Sequence, residues 1–169
     1  ACSALDMKDV AEVGAVLLNA RASNSMVFTV GNGGSAATAS HMATDFGVGS
    51  HSRGLGLRTV CLCDSASVMT ATANDLSYER VFAEQIELLA CPGDVLVVIS
   101  ASGNSPNILQ AVHVARTLKL VCIALTGFNG GALRGIVDHN IHVPTAVGDY
   151  GPVEDVHLII NHMLTEIMR

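Results

Sequence analysis

The chain has 169 residues, of which half are hydrophobic and only 4% are aromatic, and its formal net charge is −6. This length predicts one domain, residues 1–169, with a sizeable aliphatic core. The negative charge and the absence of a basic cluster exclude a nucleic-acid partner, and no apolar run is long enough to cross a membrane. Five scattered cysteines without a CxxC pair, and a start that does not resemble a signal peptide, predict a cytoplasmic protein.

Helix and strand patterns alternate along the chain. Helices are predicted over 8–21, 35–46, 66–72, 78–89, 106–118 and from about 152, and strands over 26–30, 58–62, 94–99, 120–125 and 138–143. This alternation indicates βαβ units and a parallel sheet covered by helices on both faces. The helix within 1–22 packs either on a partner subunit or on its own domain. The loop 47–56 is either a mobile lid or a plain surface connection.

Two of the predicted strands run directly into a loop of small residues that opens a helix. The first loop is Gly-Asn-Gly-Gly-Ser at 31–35, and the second is Ser-Ala-Ser-Gly-Asn-Ser at 100–105. Each places unpaired N–H groups and the positive end of a helix dipole at the carboxyl edge of the sheet, where anions bind. Neither loop fits the patterns of a dinucleotide site or a P-loop. The two loops together predict a phosphorylated substrate.

Histidines and carboxylates recur on the helix after the first loop and on the last helix. His41 and Asp45 are four residues apart, so they share one helix face and can hold a metal or pair as a base and its orienting partner. The same spacing also fits a simple surface contact. Glu154 and His162 lie eight residues apart, roughly 12 Å along a helix, and reach one metal only if both side chains lean inward or another subunit contributes.

These motifs resemble the sugar isomerase (SIS) domain proteins, and among them the phosphoheptose isomerases. The resemblance covers nearly the whole chain. It is carried by the Gly31–Ser35 and Ser100–Ser105 loops, His41, Asn74-Asp75, Leu125-Thr126-Gly127, Glu154-Asp155-Val156-His157 and His162. The serine loop is shared by the superfamily, whereas the glycine loop with His41 and the C-terminal histidine are particular to the phosphoheptose branch.

The resemblance implies a flavodoxin-like α/β fold, a three-layer sandwich with a five-stranded parallel sheet, in a homotetramer with active sites at subunit contacts. It implies a ketose–aldose isomerisation of a phosphorylated sugar, most directly sedoheptulose 7-phosphate, through an enediol, with Asp45 and His162 moving the protons. It implies substrate binding by Asn32, Gly33, Ser35, Asn74, Asp75, Ser100, Ser102, Asn104, Ser105 and Glu154. It implies a zinc ion held by His41, Asp45, Glu154 and His162.

The sequence departs from the family pattern at two of these positions. Asp45 stands where the best-known members carry Glu, and Glu154 stands where they carry Gln. The shorter side chain changes the reach of the carboxylate, and the added charge either tightens metal binding or takes part in acid–base work. One alternative is therefore a different substrate, a hexose or octose phosphate. A separate alternative is a non-catalytic SIS adaptor or sugar-phosphate-binding protein. Adaptor members lack the histidine and carboxylate that this chain keeps.

Overall fold

A computed structural model of the protein describes residues 5–50 and 56–169. The helices are α1 (Met7–Ala22), α2 (Gly34–Thr44), α3 (Ala66–Asp75), α4 (Ala83–Leu89), α5 (Pro106–Thr117) and α6 (Tyr150–Met168). The strands are β1 (Met26–Gly31), β2 (Arg58–Cys61), β3 (Val95–Ser100), β4 (Val121–Thr126) and β5 (His139–His142). Shorter helical turns cover Asp45–Gly49, which is a π-helix, and Tyr78–Arg80 and Ala132–Gly135, which are 3₁₀ turns.

The five strands form one parallel sheet in the order β2-β1-β3-β4-β5. The five-stranded parallel sheet is confirmed, this is the strand order of flavodoxin-like folds, and β3 at its centre is buried along its whole length. The chain changes direction across the sheet between β1 and β3, and ligands bind at such a switch point beyond the carboxyl ends of the strands. The two predicted anion-binding loops follow β1 and β3 directly. The topology therefore places them side by side.

Helices cover both faces of the sheet, as the sequence predicts. Alternate strand residues such as Val95 and Val97 pack with α1, α2 and α6, and the intervening Leu96 and Val98 pack with α4 and α5. Val10, Val13 and Leu17 of α1 are buried in the chain's own core, and Val16 is half-buried against it. Packing of this helix on a partner subunit remains a prediction. Among the helices described, none is both long and apolar enough to span a membrane.

Two helices differ from their predicted bounds. The helix predicted over 78–89 begins only at Ala83, and the preceding Tyr78–Arg80 form a 3₁₀ turn. Val81 and Phe82, between the turn and α4, are fully buried in the core. The helix predicted over 35–46 leaves α-helical geometry after Thr44 and continues as the π-helix to Gly49. The proposed lid, 47–56, lies partly outside the described residues, and its first residues belong to this π-helix.

Candidate functional site

A cavity of about 320 Å³ opens at the carboxyl edge of the sheet, between the loops that follow β1 and β3. Its lining consists of Asn32, Gly33, Gly34, Ser35, Ile99, Ser100, Ala101, Ser102, Ser105, Tyr150 and Glu154. Most of the substrate-binding residues predicted from the sequence are therefore brought together here. Hydroxyl groups and helix N-termini dominate the lining, so the cavity suits an anionic ligand.

The serine loop keeps its hydroxyl hydrogens available for such a ligand. Ser100 Oγ accepts a hydrogen bond from the Gly103 amide at 3.1 Å, and Ser102 Oγ accepts one from the Asn104 amide at 3.3 Å. A hydroxyl that accepts an N–H still has its own hydrogen to donate. Ser105 occupies the N-cap of α5, yet its side chain makes no capping bond. Three hydroxyl groups can therefore converge on one phosphate at the N-terminus of α5.

Asn104 shapes this loop from outside the cavity. Its Oδ1 accepts a hydrogen bond from the Ala132 amide at 2.9 Å, and its Nδ2 donates to the Ser102 carbonyl at 3.0 Å. The side chain thus ties the serine loop to the segment after β4. Its predicted role in contacting substrate remains a prediction, since it does not line the cavity.

Replacing Gly103 by alanine is expected to disrupt the serine loop. Gly103 has φ +63°, and a β-carbon there would overlap the carbonyl oxygen of Gly130. We expect the variant to lose more than about 1 kcal/mol of stability and to bind phosphorylated sugar more weakly. Urea unfolding and substrate titration measure both effects. Gly135→Ala is the control, because a β-carbon there meets no atom within 4 Å; equal effects of the two substitutions would contradict this account.

Glu154 lies beside the glycine loop. A β-carbon on Gly34 would lie 2.5 Å from Glu154 Oε2, so the carboxylate sits directly against the first residue of α2. No side chain caps this helix, and the positive end of its dipole stabilises the negative charge. Of the two predicted anion-binding loops, the glycine loop thus already faces a carboxylate, and the serine loop is left for the phosphate.

Two residues that the sequence analysis missed hold Asn32 in place. Its side-chain amide exchanges reciprocal hydrogen bonds of 2.9 Å with that of Asn107, and its Oδ1 also accepts a bond from the Tyr78 hydroxyl at 3.0 Å. A third missed residue, Tyr150, lines the cavity with its ring edge-to-face on Phe128 at 4.9 Å. These contacts join segments far apart in the chain, so no local pattern could have indicated them.

Two histidines and a carboxylate form a second group, next to this cavity along α2 and α6. His41 Nε2 lies 3.1 Å and His162 Nε2 lies 3.9 Å from Asp45 Oδ2, and the two rings meet edge-on at 5.4 Å. All three ligand atoms lie within 4.8 Å of one another. Asp45 is the first residue of the π-helix, a geometry that is frequent at functional sites. Two imidazoles and a carboxylate suit a zinc ion.

Three predicted site residues lie apart from this group. Glu154, about two helical turns before His162, belongs to the cavity and is not among the clustered ligand atoms. Asn74 and Asp75 end α3 on the surface, where Asn74 Nδ2 donates to Asp75 Oδ1 at 2.8 Å. They do not line the cavity of the single chain. The sequence-based roles of these three residues remain predictions.

His157 lies in the core beneath α6. Its side chain is fully buried, and neither ring nitrogen has a hydrogen-bond partner among the described residues. Burial lowers the pKa of His157 to about 4, the backbone of Thr126 partly opposes this effect, and His142 adds to it. The ring is therefore neutral at physiological pH, and it does not line the cavity.

The comparisons with known proteins agree with this geometry. The family model described as "SIS domain" matches residues 2–127. Phosphoheptose isomerase 1 of Campylobacter jejuni is 35% identical over 94% of this chain and 84% of its own length. The phosphoheptose isomerase of Paramagnetospirillum magneticum is 39% identical over 86% of this chain and 74% of its own. The structure of phosphoheptose isomerase from Neisseria gonorrhoeae matches with a TM-score of 0.87 and 30% identity, covering 95% of this chain and 85% of that one.

Proposed function

This chain belongs to the phosphoheptose isomerases of the SIS domain family, and from that premise we propose that it interconverts sedoheptulose 7-phosphate and a manno-heptose 7-phosphate. It is an aldose–ketose isomerase of sugar phosphates. The observation that carries the proposed substrate is the pairing of a hydroxyl-lined anion cavity with a His-Asp-His group next to it on the same two helices. One part suits the phosphate end of a sugar and the other suits its carbonyl end.

The phosphate is held by the serine loop. Ser100, Ser102 and Ser105 lie at the N-terminus of α5, where their hydroxyl donors combine with the positive end of the helix dipole. Binding energy gained at this end orients the reacting carbons without being part of the reaction itself. Asn32, fixed by Asn107 and Tyr78, offers its remaining N–H to a sugar hydroxyl.

Two proton transfers complete the reaction at the other end. Asp45 removes the proton from the carbon next to the carbonyl and returns it to the neighbouring carbon. His162 transfers a proton between the two oxygens, O1 and O2, so that the enediol closes to the other carbonyl form. The side chain of His162 is 56% exposed and that of Asp45 is 22% exposed, so both are accessible to a substrate.

The donor set of His41, Asp45 and His162 is also suited to zinc. With the ion bound, the site would gain a Lewis acid that polarises the substrate carbonyl. We expect His41→Ala to lower the zinc content of the purified protein, measured by elemental mass spectrometry, relative to His113→Ala on α5. Full activity after exhaustive chelation, with no metal left in the protein, would remove the ion from the mechanism.

Ser102→Ala is expected to raise KM by about tenfold while changing kcat little. The substitution removes one hydroxyl that donates to the phosphate, and a hydrogen bond to a charged group contributes roughly 1.5–3 kcal/mol. Steady-state kinetics separate the two parameters. Ser23→Ala is the matched control, because Ser23 is an exposed serine at the end of α1, outside the cavity. A fall in kcat with unchanged KM would contradict a role confined to phosphate binding.

The homotetramer with active sites at subunit contacts is part of this proposal. Helix α3 supports it, since none of its ten residues is buried in the single chain, and it ends with Asn74 and Asp75. A partner covering α3 would bring these two side chains to a shared site. Light scattering and the activity of Asp75→Ala test this assembly.

The cytoplasmic location also remains a prediction.

The first experiment is to incubate the protein with sedoheptulose 7-phosphate in deuterium oxide and to follow C2 of the aldose product by NMR. Deuterium at C2 would establish both the substrate and the enediol chemistry. Phosphate-dependent binding of the sugar without turnover would exclude this substrate, and hexose and octose phosphates would then be tested. Neither binding nor turnover of any of these sugars would favour a non-catalytic adaptor.

A further inference from the structure

We infer that Asn161 is a positioning residue that holds the Asp45 carboxylate in place for proton transfer, an inference that rests on the proposed isomerase function. Asn161 Nδ2 donates a hydrogen bond of 2.7 Å to Asp45 Oδ2. The two histidine contacts to the same oxygen are longer, at 3.1 Å and 3.9 Å. Asn161 precedes His162 on α6, so adjacent residues of one helix both contact Asp45.

The chemistry of the pair fixes the orientation of the amide. A carboxylate oxygen accepts hydrogen bonds only, so the NH₂ group of Asn161 has to face it. The other end of the amide, Oδ1, is buried and has no partner among the described residues. The side chain as a whole is completely buried. Asn161 therefore makes a single directed side-chain bond, and that bond is to Asp45.

The surroundings of Asn161 make an amide side chain unfavourable for packing alone. Its helix neighbours Ile160 and Leu164 belong to the apolar core, and a buried carbonyl oxygen without a partner lowers stability. Leucine has a similar size and no polar atom to leave unpaired. The geometry thus points to orientation of Asp45, and not to packing, as the role of this side chain.

The contacts to the Asp45 carboxylate concentrate on one of its two oxygens. All three contacts described above, from Asn161, His41 and His162, fall on Oδ2. Oδ1 lies against the π-helix, where a β-carbon on Gly49 would meet it at 3.6 Å. Asp45 begins a π-helical turn at the end of α2, and the bond from α6 restrains rotation of its short side chain there. Misplacement of a reacting group by about 1 Å costs up to 10²-fold in rate.

The test is Asn161→Leu, with Thr165→Val as the matched control. Thr165 is a buried polar residue one turn further along α6, but its hydroxyl bonds the Asn161 carbonyl and not Asp45. We expect Asn161→Leu to keep or raise Tm while lowering kcat by at least about tenfold, with KM changed less than about twofold because the phosphate cavity is intact. Thr165→Val is expected to keep kcat. A folded Asn161→Leu protein with wild-type kcat would overturn the inference, as would a loss of activity that appears in KM alone.

A crystal structure of Asn161→Leu separates this inference from the proposed function. If the wild-type protein turns over none of the sugar phosphates, the proposed function is wrong. The position of the Asp45 side chain in this crystal structure still tests the role of Asn161 in that case. A carboxylate rotated away from its wild-type position would support positioning by Asn161. A carboxylate in the same place would overturn it.

Discussion

Replacing His162 by alanine is expected to lower kcat by roughly 10²–10⁴-fold, the usual contribution of a positioned acid–base group. The loss should appear in kcat and not in KM, because the phosphate cavity is formed by other residues. Little change in stability is expected, since more than half of the His162 side chain is exposed. A large fall in kcat without a loss of stability is thus the result expected if His162 transfers a proton.

Steady-state kinetics, together with thermal unfolding, measure this result. His113→Ala provides the control, because it removes another exposed imidazole, on α5 and outside both parts of the site. Unchanged turnover in His162→Ala would remove the histidine from the mechanism. Asp45→Asn should match the kinetic loss, since it abolishes the base on the other side of the sugar.

Acidification is expected to destabilise the protein through His157. Its pKa is about 4 in the folded state and about 6.5 in the unfolded chain. Below pH 6.5 the unfolded chain binds a proton that the folded protein does not, so the free energy of unfolding falls as the pH is lowered from 6.5 to 4. Between pH 7.5 and pH 5 this one residue accounts for a loss of about 2 kcal/mol.

Urea unfolding of the wild-type protein and of His157→Leu at these two pH values tests the prediction. The leucine variant should lose about 2 kcal/mol less than the wild type over this range. Replacing His142, whose pKa is also lowered, mainly by its partial burial, should have a smaller effect. Identical pH dependence of the wild type and His157→Leu would show that the imidazole is not held neutral by burial.

Much of the fold could be predicted from the sequence because its signals are local. Apolar runs such as Val95–Ile99 ended in small polar residues, and this pattern placed the strands to within one or two residues of those observed. In a parallel sheet both loops must lie at the carboxyl edge, so the position of the anion cavity could be predicted as well. The helical spacing of His41 and Asp45 likewise placed two members of the histidine–carboxylate group on one face.

The remaining features depend on contacts between distant segments. The π-helical turn at Asp45 forms where α2 meets α6, and the bond to Asn161 joins residues 116 positions apart. Tyr78 and Asn107 reach Asn32 from two other elements. Glu154 lies against Gly34 and outside the clustered ligand atoms, and its predicted metal role remains a prediction. In each case the outcome depends on how helices pack across the sheet, which periodicity in a single sequence does not specify.

The phosphate cavity and the histidine group are linked by two continuous helices, and this gives the site a fixed length. Ser35 and His41 are six residues apart on α2, and Glu154 and His162 are eight apart on α6, so the two ends are separated by roughly 9–12 Å along the helix axes. Both helices pack against the sheet in one core, so the distance between the two parts of the site cannot change without repacking that core. We expect sugar phosphates that are too short to span this separation to be poor substrates. Selection among substrates by carbon-chain length is thus a property of the scaffold itself, independent of any contact with an individual sugar hydroxyl.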